Sequence, residues 1–219
     1  MKQHYTILYI HGMGGGGDSR IPSILREYFN ANGLQLKVNV ICRTYSFDPV
    51  EGHEQIKEWM LEYMPDLIIG ESLGTLHALR LRKRPTILIS PALNAPFYFG
   101  ALSWMVLIPG VTRLFDRIYK PKDGDRQPLH FAHKILRKYL SHRKRALADY
   151  NVDFDQSYPV HAFIGTSDHY RKSGVVSIRS WKKHFGDTYT LYAGSHFTEE
   201  EYIYSLIIPK VVELLVYNK

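Results

Sequence analysis

The pentapeptide Gly70-Glu71-Ser72-Leu73-Gly74 constrains this chain more than any other feature, because it follows the apolar run Leu67-Ile68-Ile69 and leads into Thr75-Leu76-His77-Ala78. A strand that turns into a helix within five residues leaves no room for side chains at Gly70 and Gly74. The same turn pushes Ser72 outward at a helix N-terminus. The bland alternative is an ordinary strand-to-helix turn with a capping serine. Either way a buried strand followed at once by a helix predicts an α/β architecture.

The rest of the chain repeats that alternation. Residues 5–10 (Tyr5-Thr6-Ile7-Leu8-Tyr9-Ile10) form a continuous run of β-formers bounded by glycines, as in a strand buried on both faces of a parallel sheet. Apolar residues at Ile21, Ile24, Leu25, Tyr28 and Phe29 predict a helix over 21–32, ended by Gly33. A strand over 37–42, a helix over 54–63, a strand over 66–70 and a helix from Ser72 to about Arg84 follow. Further strands are expected over 86–89, 160–164 and 188–192, and a closing helix over 200–217 despite Pro209. The pattern predicts a mostly parallel sheet of about six strands in a single domain spanning 1–219.

One stretch breaks the repeat. Residues 93–151 show no strand signal and carry the apolar run 101–108 and a basic segment near 133–147. The run is too short for a membrane span, which needs about 20 apolar residues. It reads as part of a helical cap over the site, and Phe97, Tyr98 and Trp104 are its candidate substrate-binding residues.

A serine hydroxyl is a poor nucleophile until a base accepts its proton. His196, in Gly194-Ser195-His196 after the last expected strand, is the candidate base. Asp168, in the loop after the penultimate strand, is the candidate that orients it, whereas Asp153 and Asp155 precede that strand and fall at the wrong edge of the sheet. Backbone N–H groups of Leu73 and Met13 are the candidate oxyanion hole, Met13 belonging to the loop His11-Gly12-Met13-Gly14-Gly15-Gly16-Gly17. His11 itself reads as structural.

Bulk properties add bounds. The single cysteine, Cys42, allows no intramolecular disulfide, and no Cys/His cluster has zinc spacing, so no metal is expected. With no signal-peptide core near the N-terminus, the reading is cytoplasmic. A net charge of +7 raises nucleic acid as a partner. Its cations gather at 80–84 and 134–145, which reads as solvated faces, or as an anionic ligand or membrane surface, and no nucleic acid is expected.

Taken together, His11-Gly12, Gly70 to Gly74, Asp168 and His196 resemble the α/β-hydrolase superfamily in motif and chain order. More narrowly the chain resembles the small bacterial YqiA-like esterases, in its short first strand ending in His-Gly, its Ser90-Pro91-Ala92 turn and its Gly-x-His ending before a long helix. The resemblance implies a three-layer fold with a helical cap. It also implies hydrolysis of a small-molecule carboxylic ester or thioester without a cofactor. Two rivals remain. Gly12 to Gly17 also satisfies G-x-G-x-x-G, with Arg43 placed to meet the 2′-phosphate of NADP in a Rossmann-type protein. The third reading is a non-catalytic binding protein on a hydrolase scaffold.

Overall fold

Six runs of β-formers become six strands: β1 (His4–Ile10), β2 (Lys37–Cys42), β3 (Leu67–Glu71), β4 (Thr86–Ile89), β5 (Val160–Gly165) and β6 (Tyr189–Tyr192). The computed structural model describes residues 4–31, 37–81, 84–121, 123–152 and 158–216, side chains of 149–152 excepted. Gly33, Arg82, Lys83, Asp153, Asp155 and Tyr217, which entered the sequence reading, lie outside the described residues. The strands pair in the order β2-β1-β3-β4-β5-β6, and every pairing is parallel. The helices are α1 (Arg20–Ala31), α2 (Glu51–Tyr63), α3 (Thr75–Ala78), α4 (Ala95–Met105), α5 (Val111–Ile118), α6 (His133–Val152), α7 (Tyr170–Ser173), α8 (Ile178–Phe185), α9 (Glu200–Tyr202) and α10 (Ile208–Val216).

Side chains alternate across a strand, and here both sets are apolar, so both faces need cover. Ile7, Tyr9 and Ile69 join Ile21, Leu25 and Phe29 of α1 and Val211 and Leu214 of α10 in one core. Leu8, Ile10 and Ile68 join Ile56 of α2, Leu76 of α3, Leu136 and Tyr139 of α6 and Trp181 of α8 in the other. The result is helix, sheet, helix in three layers. From β1 the chain moves outward to β2 and then crosses back to β3, so the connections diverge above the C-terminal ends of β1 and β3. A crevice opens at such a reversal.

The expected cap divides in two. The basic helix α6 sinks Leu136, Tyr139, Ala146 and Leu147 into the core, so it is a layer helix and not a lid. Outside it lies α4, with Phe99 edge-on to Tyr139 at 4.9 Å. No residue of α5 is buried.

Three stretches depart from expectation. The elbow helix is shorter than 72–84: a tight turn over Ser72–Gly74 leads into α3, and bonds from Arg80 N to His77 O and Leu81 N to Ala78 O already wind down. Pro85 bars helical backbone at the residue before it. The closing helix contains a wide turn over Ile203–Ile207, immediately before Pro209. That widening accommodates a residue that offers no N–H and crowds the preceding turn. Finally α7 and α8 fill a stretch where no element was expected. The signal for α8 was present: Ser177 caps it by accepting from Ser180 N at 3.1 Å, and Trp181 and Phe185 are buried one turn apart.

Behind the elbow, His53 of α2, His77 of α3 and His142 of α6 meet as buried rings, with centroids 4.4 to 5.6 Å apart. Burial pushes the His53 imidazole down to about 4 and the His142 imidazole to about 3, with the Arg80 guanidinium adding to both. His77 is lowered for the same first reason. The cluster stays uncharged at neutral pH.

Candidate active site

The register Ile10↔Gly70 sets the end of β1 beside the end of β3, and this places two loops over one crevice. A Cβ on Gly74 would stand 2.4 Å from the Ile10 carbonyl oxygen, and one on Gly70 would stand 2.8 Å from the Ala78 Cβ. Both positions therefore require glycine. Between them Ser72 has φ of 49°, a left-handed conformation that costs a non-glycine residue about 1–2 kcal/mol.

The loops after β5 and β6 continue the strands' pairing beyond their ends. Thr166 N donates to Tyr192 O at 2.7 Å and Ser167 N to Gly194 O at 3.0 Å. Zipped together, they bring Asp168 against His196. His196 Nδ1 lies 2.8 Å from Asp168 Oδ2, and His196 Nε2 lies 2.9 Å from Ser72 Oγ. Asp168 Oδ1 accepts from Tyr170 N at 2.8 Å, so both carboxylate oxygens are engaged. Asp168 and His196 are buried. An Nδ1–H donated to Asp168 leaves the Nε2 lone pair facing the serine hydroxyl.

The loop after His196 is fixed from three sides. Glu199 accepts from Ser195 N at 3.0 Å, Tyr192 Oη lies 2.7 Å from Thr198 Oγ1, and the Arg20 guanidinium donates to the carbonyls of Phe197 and Thr198. These bonds fix the backbone that carries the imidazole, and the bond to Asp168 orients the ring itself.

A cavity of about 670 Å³ opens onto Ser72 and His196, within the range of small-molecule sites. Leu73 and Met13 both line it, and Gly12 brings the loop against the serine, since a Cβ there would stand 3.1 Å from the Ser72 Cβ. Of the three aromatic candidates only Tyr98 lines the cavity, joined by Phe99 one residue on. Phe97 and Trp104 are corrections. On α4 they point elsewhere: Phe97 lies under the Arg143 guanidinium at 4.4 Å, and Trp104 lies against His133 at 5.5 Å. Positions 95, 98 and 99 share one helical face, and 97 and 104 are off it. Among the described residues, none of the basic helix α6 lines the cavity.

Sequence reasoning missed Glu71. Glu71 is among the residues lining the cavity, next to Ser72 in the chain, and its carboxylate accepts from Tyr9 Oη at 2.7 Å. Burial raises its pKa, opposed by the Tyr9 hydrogen bond and by the nearby His196 and Arg20. Its signal was a carboxylate inside an otherwise apolar strand end.

The glycine run does not cradle a phosphate. Gly17 N donates to Asp125 Oδ2 at 3.0 Å and Gly14 N to Gln127 Oε1 at 3.1 Å. A Cβ on Gly16 would stand 1.5 Å from the Asp125 carbonyl oxygen. The glycines exist so that residues 125–127 can lie against the loop, and a carboxylate stands where a pyrophosphate would need to be. Arg43 stacks on Trp59 at 5.3 Å and reaches Glu62 at 3.5 Å, away from the loop. The dinucleotide reading fails on both counts. His11 is structural, as expected: it stacks on Tyr45 at 4.3 Å, lies 2.7 Å from the Gly12 carbonyl oxygen through Nδ1, and is pushed down to about 4 by burial.

No protein-family model and no curated protein sequence matches the chain. Solved structures do. NosK from Streptomyces actuosus superposes with a TM-score of 0.57 at 14% identity, over 95% of this chain and 97% of that one. MenH from S. aureus gives 0.57 at 14% identity, over 98% and 94%. The type II thioesterase BorB from the borrelidin biosynthetic cluster gives 0.53 at 19% identity, over 96% and 92%. The fold is that of the α/β-hydrolases. Ser72, Asp168 and His196 directly follow β3, β5 and β6, in that chain order.

Proposed function

We propose that this chain is a serine hydrolase that cleaves a carboxylic ester or thioester through an acyl-enzyme on Ser72. The observation that carries the reading is the unbroken relay from Ser72 Oγ through His196 to Asp168 at the wall of a cavity. Proteins of similar fold include a type II thioesterase and lipolytic enzymes, which favours acyl transfer as the chemistry. The motifs that resemble YqiA-like esterases support a carboxylic ester or thioester as the substrate class.

His196 Nε2 accepts the Ser72 proton as Oγ adds to the acyl carbonyl carbon, while Asp168 stabilises the imidazolium. The Leu73 and Met13 amides hold the oxyanion. Collapse breaks the bond to the alkoxide or thiolate, which takes the proton from His196. A water then gives a proton to His196 as it adds to the acyl carbon, and the bond from that carbon to Ser72 Oγ breaks as His196 returns the proton to Oγ, releasing the acid and the free serine. Tyr98 and Phe99 form the apolar wall for the acyl chain.

A fluorophosphonate should label the parent chain once, at Ser72, and should leave Ser72→Ala unlabelled. Nitrophenyl esters and acyl thioesters of graded length then define the substrate. Ester turnover by Ser72→Ala at the parent rate would refute the proposal.

A further inference from the structure

A helix of eight residues is marginal in water by itself and normally persists because it buries an apolar stripe. α5 does so poorly. Its inner face, Thr112, Phe115, Asp116 and Tyr119, leans on the segment around residue 131: Phe115 and Tyr119 meet the Phe131 ring at 5.5 and 5.1 Å, and Asp116 accepts from Phe131 N at 3.0 Å. Its outer face sets Leu114 and Ile118 in solvent, 55% and 62% exposed. Trp104, Met105, Leu107 and Ile108 precede it by less than two turns and are equally bare. Bonds from Ile108 N to Met105 O, Val111 N to Ile108 O and Leu114 N to Gly110 O hold these residues and the start of α5 in one compact corner. A concentration of exposed apolar groups on this scale marks a surface that something covers.

The charge around it says what. Arg113, Arg117 and Lys120 are exposed on the same segment and make no ion pair among the described residues. Asp116 is the one acidic residue between 94 and 122, and its carboxylate is engaged by His130 and by Phe131 N. Bulky apolar side chains flanked by cations, with an indole and a phenol at the margin, match the interface of an anionic bilayer. A second copy fits poorly, because a symmetric contact would bring Arg113 and Arg117 of both chains together.

We infer that the corner formed by the end of α4 and the outer face of α5 docks on anionic phospholipid membranes. No helix among the described residues is long and apolar enough to cross a membrane, so the contact is peripheral. The other end of α4 carries Tyr98 and Phe99 into the cavity, so docking brings the cavity near the lipid. The docking is independent of the hydrolase reading, and Ser72→Ala should bind vesicles as the parent does.

Trp104 supplies the assay. Of the three tryptophans, Trp59 and Trp181 are buried and Trp104 is 62% exposed, so a change in emission on docking reports this corner. The full chain is mixed with vesicles of phosphatidylcholine, with or without one third phosphatidylglycerol. The expected result is a blue shift and co-sedimentation with the anionic vesicles, at least about tenfold tighter than with neutral ones and weakened by salt. Leu114→Glu/Ile118→Glu abolishes both, and Arg113→Glu/Arg117→Glu weakens binding at least about tenfold. Both leave hydrolysis of a soluble short-chain ester unchanged. Equal binding to neutral vesicles, no binding at all, or undiminished binding by Leu114→Glu/Ile118→Glu would overturn the inference. So would a parent dimer that this variant splits, since a second copy would then cover the face.

Discussion

The strain at Ser72 and the pairing of Asp168 with His196 make separable predictions. At φ of 49° any side chain at position 72 is strained, so Ser72→Gly should be more stable than Ser72→Ala by about 1 kcal/mol, while both lose activity. Urea unfolding of the two variants measures this, and equal stability would mean that the elbow is relaxed. Asp168→Asn keeps the shape but offers Nδ1 of His196 the wrong partner. We expect kcat to fall on the order of 10⁴-fold with KM little changed. The three residues of the proposed triad could be picked out in the sequence because each lies in a loop directly after a strand, where only a short window has to be read. Glu71 escaped because its role is set by Tyr9, a neighbour on the adjacent strand that no window contains.

Among the elements, the glycine loop is held by a residue far along the chain. The Gln127 side chain accepts from Gly14 N and donates to Tyr45 O at 3.0 Å. Gln127→Ala leaves the buried Tyr45 carbonyl and the half-buried Gly14 N–H without this partner, a cost of about 2 kcal/mol, and frees the loop that carries Met13. Denaturation should show the loss, and kcat/KM should fall with it. The histidine cluster joining α2, α3 and α6 sets the pH response of the fold. Its imidazoles are held neutral when folded but take up protons below about pH 6.5 when unfolded. The unfolded chain therefore binds more protons as pH falls. The stability contributed by the cluster is complete above about pH 6.5 and is lost on the way down toward the folded values of about 4 and about 3. Urea midpoints should drop between about pH 7 and about pH 5, and a replacement such as His53→Gln should flatten the slope. A midpoint that ignores pH over this span would contradict the assignment. None of this was legible from sequence, since His53, His77 and His142 are far apart in the chain and periodicity does not say which helices touch. The long basic helix misled for the same reason: its place in a stretch without strands suggested a cap, whereas its apolar stripe is what positions it.

At the scale of the whole molecule, a mostly parallel sheet of about six strands followed from pattern, because continuous apolar runs alternating with amphipathic helices admit few arrangements; the strand order came only with the structure. Glycines near residue 14 were ambiguous until the fold brought Asp125 and Gln127 against them, a contact between positions more than a hundred residues apart. The account as a whole stands on covalent chemistry at one side chain in a crevice built by the entire sheet. The most direct measurement is the intact mass of the chain, acid-quenched within milliseconds of mixing with excess nitrophenyl ester, followed by peptide mapping. We predict one acyl group per chain, on Ser72, formed with a burst of nitrophenolate and absent from Ser72→Ala. Steady product formation with no adduct, or an adduct on any other residue, would contradict it.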